Sequence, residues 1–93
     1  MKNGKHQFKI DIETDDETGD ILAVYFQIRK GKSAEVREFC DGKAFADYNN
    51  KGELLGIELL APCRLNLLDR IVGSEPKAKR FIKRTAPREM VPA

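Results

Sequence analysis

The sequence predicts an α+β fold: an antiparallel β-meander of about five strands packed by a short C-terminal helix, followed by a basic tail that can itself turn helical. Three observations predict it. Residues 8–60 run through short apolar and alternating stretches separated by Gly- and Asx-rich turns. After Pro62 the apolar spacing changes from that of strands to that of a helix. Beyond Gly73 the charge turns basic. The 93 residues, 41% hydrophobic and 34% charged, suffice for one small domain and are too apolar for a disordered chain.

Residues 8–13 alternate strictly, with Phe8, Ile10 and Ile12 on one face and Lys9, Asp11 and Glu13 on the other, which predicts a half-buried strand. Residues 14–20 hold no apolar side chain and make an exposed connection with Gly19 at positive φ. Residues 21–29 are the most hydrophobic segment. Leu22, Val24, Phe26 and Ile28 take one face and Ile21, Ala23 and Tyr25 the other, so both faces are covered and the strand lies inside the sheet. After a turn at Lys30, Gly31 and Lys32, residues 33–39 are polar enough for an edge strand. Asp41 and Gly42 make the next turn.

Residues 45–60 read as a β-hairpin. Asn50 and Lys51 suit a type I turn, and Gly52 the left-handed residue after it, because a residue without Cβ takes positive φ freely. With that loop, an unbroken ladder sets Tyr48 opposite Leu54, Ala46 opposite Gly56 and Ala44 opposite Glu58, with Phe45 beside Ile57 and Asp47 beside Leu55 on the other face. Ala46 and Gly56 then make a shallow patch against which a helix packs. That helix is predicted from Leu65, Leu68, Ile71 and Val72, with Gly73 capping its end. Ser74 as N-cap and Pro76 in the first turn open a second helix, in which Ala78, Phe81 and Ile82 share one side. Pro87 ends it. The organisation expected is a domain over residues 1–73 and a basic extension over residues 74–93.

The turns and strands of residues 20–26, 31–38 and 46–60 resemble the DUF2283 family of small bacterial and archaeal proteins. The resemblance rests on Asp20-Ile-Leu-Ala-Val-Tyr-Phe26, Gly31-Lys-Ser-Ala-Glu-Val-Arg-Glu38 and the Asp47-Tyr48, Gly52 and Gly56-Ile57-Glu58 elements in the family's order and spacing, and spans roughly residues 8 to 65. Asn49 stands where the family usually has an acidic residue, and the extension after Gly73 lies outside the pattern. The resemblance implies a small α+β meander and brings no activity. Some members resemble the companion half of toxin-antitoxin pairs, which implies a toxin-like protein partner.

Charge distribution bears on partners. Residues 1–73 carry eleven Lys and Arg against thirteen Asp and Glu, whereas residues 74–93 carry six against two. A mildly acidic body with a basic end suits self-association and docking on an acidic partner more than a wholly basic chain would. Lys79, Arg80, Phe81 and Lys83 are the expected partner-binding residues, and Tyr25, Tyr48 and Leu54 the expected self-association residues of a homodimer. Nucleic-acid binding by the tail, with Phe81 as a stacking group, is the alternative.

Catalysis finds little support in the sequence. His6 is the only histidine and reads as a solvated surface residue without partners. Cys40 and Cys63 form no CxxC element and read as two free, mostly buried thiols of a reducing cytosol. Asp11, Glu13, Asp47 and Glu58 are carboxylates that neighbouring strands can gather toward a cation, although solubility and pairing with Lys or Arg explain them as well. Asp15, Asp16, Glu17 and Asp20 lack the spacing of an EF-hand loop. The chain is therefore expected to be a cytoplasmic, non-catalytic interaction protein without metal or cofactor. No signal sequence or membrane-spanning run is read from it.

Overall fold

In the computed structural model, residues 5–61, 68–73 and 75–87 are described. Five strands form one antiparallel sheet: β1 (Lys9–Thr14), β2 (Ile21–Gln27), β3 (Glu35–Phe39), β4 (Ala44–Tyr48) and β5 (Leu54–Leu60). Two helices follow, α1 (Asp69–Val72) and α2 (Pro76–Thr85). The α+β class and the five strands are those the sequence predicts. Their order is β1-β2-β5-β4-β3, so the meander runs through β3, β4 and β5 and the β1-β2 hairpin adds to it along β5. The apolar β2 is interior and the polar β3 is an edge.

One face of the sheet is covered. Val24, Phe26, Ile57, Leu59, Ala44 and Ala46, which share that face by register, join Ile28, Leu54, Leu68, Val72, Ala78 and Ile82 in a single core. Burying a dozen apolar side chains of this kind is the main source of stability for so short a chain. Because Ala78 and Ile82 of α2 belong to that core, the segment set apart as an extension from residue 74 is, through Thr85, part of the packed unit. Ser74, and with it the expected N-cap, lies outside the described residues; Glu75 stands at the N-cap and Pro76 opens the helix. Ala86 leaves the helix in an extended conformation, as the residue before a proline does. Gly73 follows α1 with right-handed angles, φ −56 and ψ −27, so it supplies no left-handed cap.

The β4-β5 register differs from the expected ladder. Tyr48 pairs with Leu54 and Gly52 has φ 80, as predicted, but a bulge then shifts the pairing, so that Asp47 faces Gly56, Ala46 faces Ile57, Phe45 faces Glu58 and Ala44 faces Leu59. Leu55 is the extra residue. Its carbonyl accepts the amides of Ile28 (2.7 Å) and Arg29 (3.1 Å), two donors just past the end of β2, and that is what the bulge satisfies. The consequence is that Ala46 and Gly56 lie on opposite faces. Ala46 is in the covered core, and the space above Gly56 is filled by Tyr25: a Cβ there would come within 2.0 Å of the phenol oxygen and 3.0 Å of the Phe26 carbonyl. No helix packs on that patch.

Candidate functional site

The site begins at the bulge. Arg29 follows β2 and, at 6% exposure, is the one charged residue in the described core. Its Nη1 donates to the Leu54 carbonyl (2.6 Å) and its Nη2 to Glu75 Oε1 (2.8 Å), with Nη1 also 3.4 Å from Glu75 Oε2. Its Nε has no hydrogen-bond partner among the described residues. A guanidinium so buried is tolerable because the carboxylate and a carbonyl take three of its other four protons, and His6 lies against the fourth. Burial pulls the Glu75 carboxyl upward, but the Arg29 hydrogen bond and charge, and then His6, hold it below the ordinary glutamate value. Glu75 stands at the start of α2, so this ion pair ties the helix to the sheet.

His6 completes the cluster, contrary to the expectation of a solvated residue without partners. Its Nε2 lies 3.1 Å from Arg29 Nη2 and 3.4 Å from Glu75 Oε1, and its ring stacks on Phe8 with centroids 4.9 Å apart. Phe8 stacks in turn on Phe81 of α2 at 4.6 Å, and Phe81 meets Phe26 edge-on at 6.2 Å. The segment before β1 is held in place by the Gln7 amide, which donates to the Ile28 carbonyl (2.9 Å), and by the Gln27 side chain, which donates to the Gln7 carbonyl (2.6 Å).

Along this ring column runs a groove of about 260 Å³ lined by Phe8, Lys77, Arg80, Phe81 and Arg84. Positions 77, 80 and 84 fall on one flank of a 3.6-residue helix, beside Phe81, while Lys79 and Lys83 fall on the other flank, beyond Ile82. Residues 76–85 contain no Asp or Glu. Lys77, Arg80 and Arg84 are exposed and form no ion pair among the described residues. Of the four residues expected to bind a partner, Arg80 and Phe81 line this groove; Lys79 and Lys83 do not. Lys77, Arg84 and Phe8 take their places. The i, i+3, i+7 spacing of 77, 80 and 84 is the signal in the sequence that finds the first two, whereas Phe8 and Arg29 join the site only through tertiary packing.

The opposite, open face of the sheet carries a different surface. Tyr25 lies over Gly56, and a cavity of about 270 Å³ is lined by Tyr25, Val36, Phe45, Ala46, Asp47 and Glu58. Burial first, and then the charges of Asp47, Glu58 and Asp11, hold the Tyr25 phenol above the ordinary tyrosine value. The three residues expected to associate with a second copy do not share a surface. Leu54 is 3% exposed within the core, Tyr48 packs on the covered side under the Arg37 guanidinium (4.7 Å to the ring centroid), and only Tyr25 belongs to the open face. The bulge at Leu55 turns Leu54 to the core side, and alternation along β4 from Ala44 and Ala46 puts Tyr48 there opposite it.

Elsewhere, Cys40 is an exposed free thiol in the β3-β4 loop rather than a buried one, with φ 56, followed by Asp41 at φ 55. Cys63 lies outside the described residues. Asp15 uses its carboxylate on its own turn, accepting the amides of Glu17 (2.8 Å) and Thr18 (2.9 Å). Among the described residues, no three His, Cys, Asp or Glu side chains gather closely enough to hold a metal ion, and no helix is long and apolar enough to cross a membrane. Comparisons with protein-family models, with curated proteins and with solved structures find no match for this chain.

Proposed function

We propose that the chain is a non-catalytic interaction module that docks an anionic partner through the Lys77, Arg80 and Arg84 flank of α2. The observation that carries this reading is the groove itself: three exposed cations aligned beside exposed aromatic carbon, on a helix without a compensating acid. Such a surface attracts negative charge at long range and offers apolar contact at short range. The Arg29, Glu75 and His6 cluster supports the reading because it holds the helix and the ring column in fixed relation, which lowers the ordering cost of binding. The DUF2283 resemblance brings no activity. Its lead toward companion proteins of toxins fits a partner-docking role in the cytoplasm.

The test is retention of partners from the native host by the intact protein and by an Arg80→Glu/Arg84→Glu variant. Truncation at Gly73 is the wrong comparison, since it removes Ala78 and Ile82 from the core. The charge reversal is expected to abolish retention with the melting temperature unchanged. Retention of the same partners by the variant would refute the reading.

Self-association is a second proposal, favoured by the open face, where Val36 is 60% exposed beside Phe45 and Tyr25. Light scattering that gives a monomer at high concentration would remove it.

A further inference from the structure

The geometry points to a more specific ligand for the α2 groove: single-stranded nucleic acid, its phosphates on Lys77, Arg80 and Arg84 and one base against the Phe8 and Phe81 rings. The inference rests on the anionic-partner reading and narrows its chemistry. Positions 77 to 84 span about 10 Å along a helix axis at 1.5 Å per residue. A stacked strand carries one phosphate per roughly 3.4 Å, so this flank accompanies about three consecutive phosphates.

Two of the three cations are arginines, whose planar forks hold phosphate oxygens in pairs and whose faces stack on bases. The aromatic wall discriminates between kinds of polyanion. Phe8 is 38% exposed although it is the middle ring of a three-ring column, and with its two faces stacked on His6 and Phe81 it is the ring edge that it has to offer the groove it lines. Ring edges carry partial positive charge and attract the π-face of another ring. A base turned out from a single strand offers such a face. A duplex keeps its bases inside, and an acidic protein surface offers carboxylates without rings. Fixed by the Arg29 and Glu75 pair, the column is in place before the ligand arrives.

The experiment titrates the full chain into fluorescently labelled oligouridine and oligothymidine 12-mers, a 12-base-pair duplex and polyglutamate, reading anisotropy at two salt concentrations. Single strands are expected to bind, RNA and DNA arms identifying the source, with affinity falling about eighteenfold between 50 and 200 mM salt, as three phosphates at roughly −0.7 each in log-log slope require. The duplex is expected to bind more weakly. Arg84→Ala should flatten the slope by about 0.7, while Lys83→Ala on the far flank leaves it unchanged. Phe8→Leu should weaken binding about fivefold at unchanged slope, and Phe8→Tyr, which keeps the ring, should restore it.

Equal effects of Arg84→Ala and Lys83→Ala overturn the groove as the site. Equal binding of duplex and single strand, with Phe8→Leu neutral, reduces the contact to bare charge and also overturns the inference. Binding of polyglutamate and of no oligonucleotide overturns it while leaving the anionic-partner reading intact, with an acidic protein as the partner. Binding of neither removes both.

Discussion

The two faces of the sheet hold aromatic rings in opposite electrostatic surroundings. On the covered side, Phe8 and Phe81 emerge from the core beneath Lys77, Arg80 and Arg84; on the open side, Tyr25 and Phe45 stand among Asp11, Asp47 and Glu58. The rings provide similar apolar contact in both places, so the sign of the rim charge decides what each can attract. The covered side is also built around a buried arginine and its carboxylate, whereas the open side is built on a glycine that a tyrosine lies across. The first arrangement couples helix to sheet. The second is a local fit of one side chain to one backbone position.

That contrast sets the size of the expected effects. Ile82→Ala, which opens a cavity where α2 meets the core, should cost about 2–5 kcal/mol in chemical denaturation, whereas Val36→Ala on the open face should stay within about 0.5 kcal/mol. If the two cost the same, α2 is not part of the cooperative unit. Arg29→Met should cost roughly 2–4 kcal/mol, because it leaves the Leu54 carbonyl and the Glu75 carboxylate without their donor. A neutral result would mean that water or another donor satisfies both groups.

Gly56→Ala should cost about 1 kcal/mol, limited by how easily the Tyr25 ring swings aside. It should also bring the Tyr25 titration, followed by absorbance against a Tyr25→Phe control, back down toward the ordinary value of 10.0. An unchanged titration would show that the carboxylates act on Tyr25 whatever its position over Gly56.

The smallest effect expected is that of pH. Glu75 ionises below its ordinary value of 4.5 in the folded chain, so its contribution is present above that value and is lost as pH falls through the depressed one. Glu75→Gln should therefore flatten the acid limb of the stability curve. At the other end, Tyr25 is raised, so its contribution is present below 10.0 and is lost as pH climbs toward the folded-state value. Tyr25→Phe should flatten the alkaline limb, and identical limbs in variant and wild type would remove either assignment.

Much of this architecture is legible in the chain alone, because it depends on neighbours in sequence. The alternation in residues 8–13, the two-sided apolar run at residues 21–28, the polar edge of residues 35–38 and the left-handed Gly52 each follow from local periodicity and backbone sterics. The helical spacing of Ala78, Phe81 and Ile82 belongs to the same class, as does the alignment of Lys77, Arg80 and Arg84. What only the tertiary structure decided comes from groups distant in sequence competing for one position. The bulge at Leu55 exists because amides just past the end of β2 claim its carbonyl, and it reassigns Gly56, Ile57 and Glu58 to other partners. Arg29 is buried because Glu75, 46 residues away, brings a carboxylate to it. His6 and Phe8 line a helix they do not resemble in pattern, since stacking requires only that rings meet and leaves no period in the sequence.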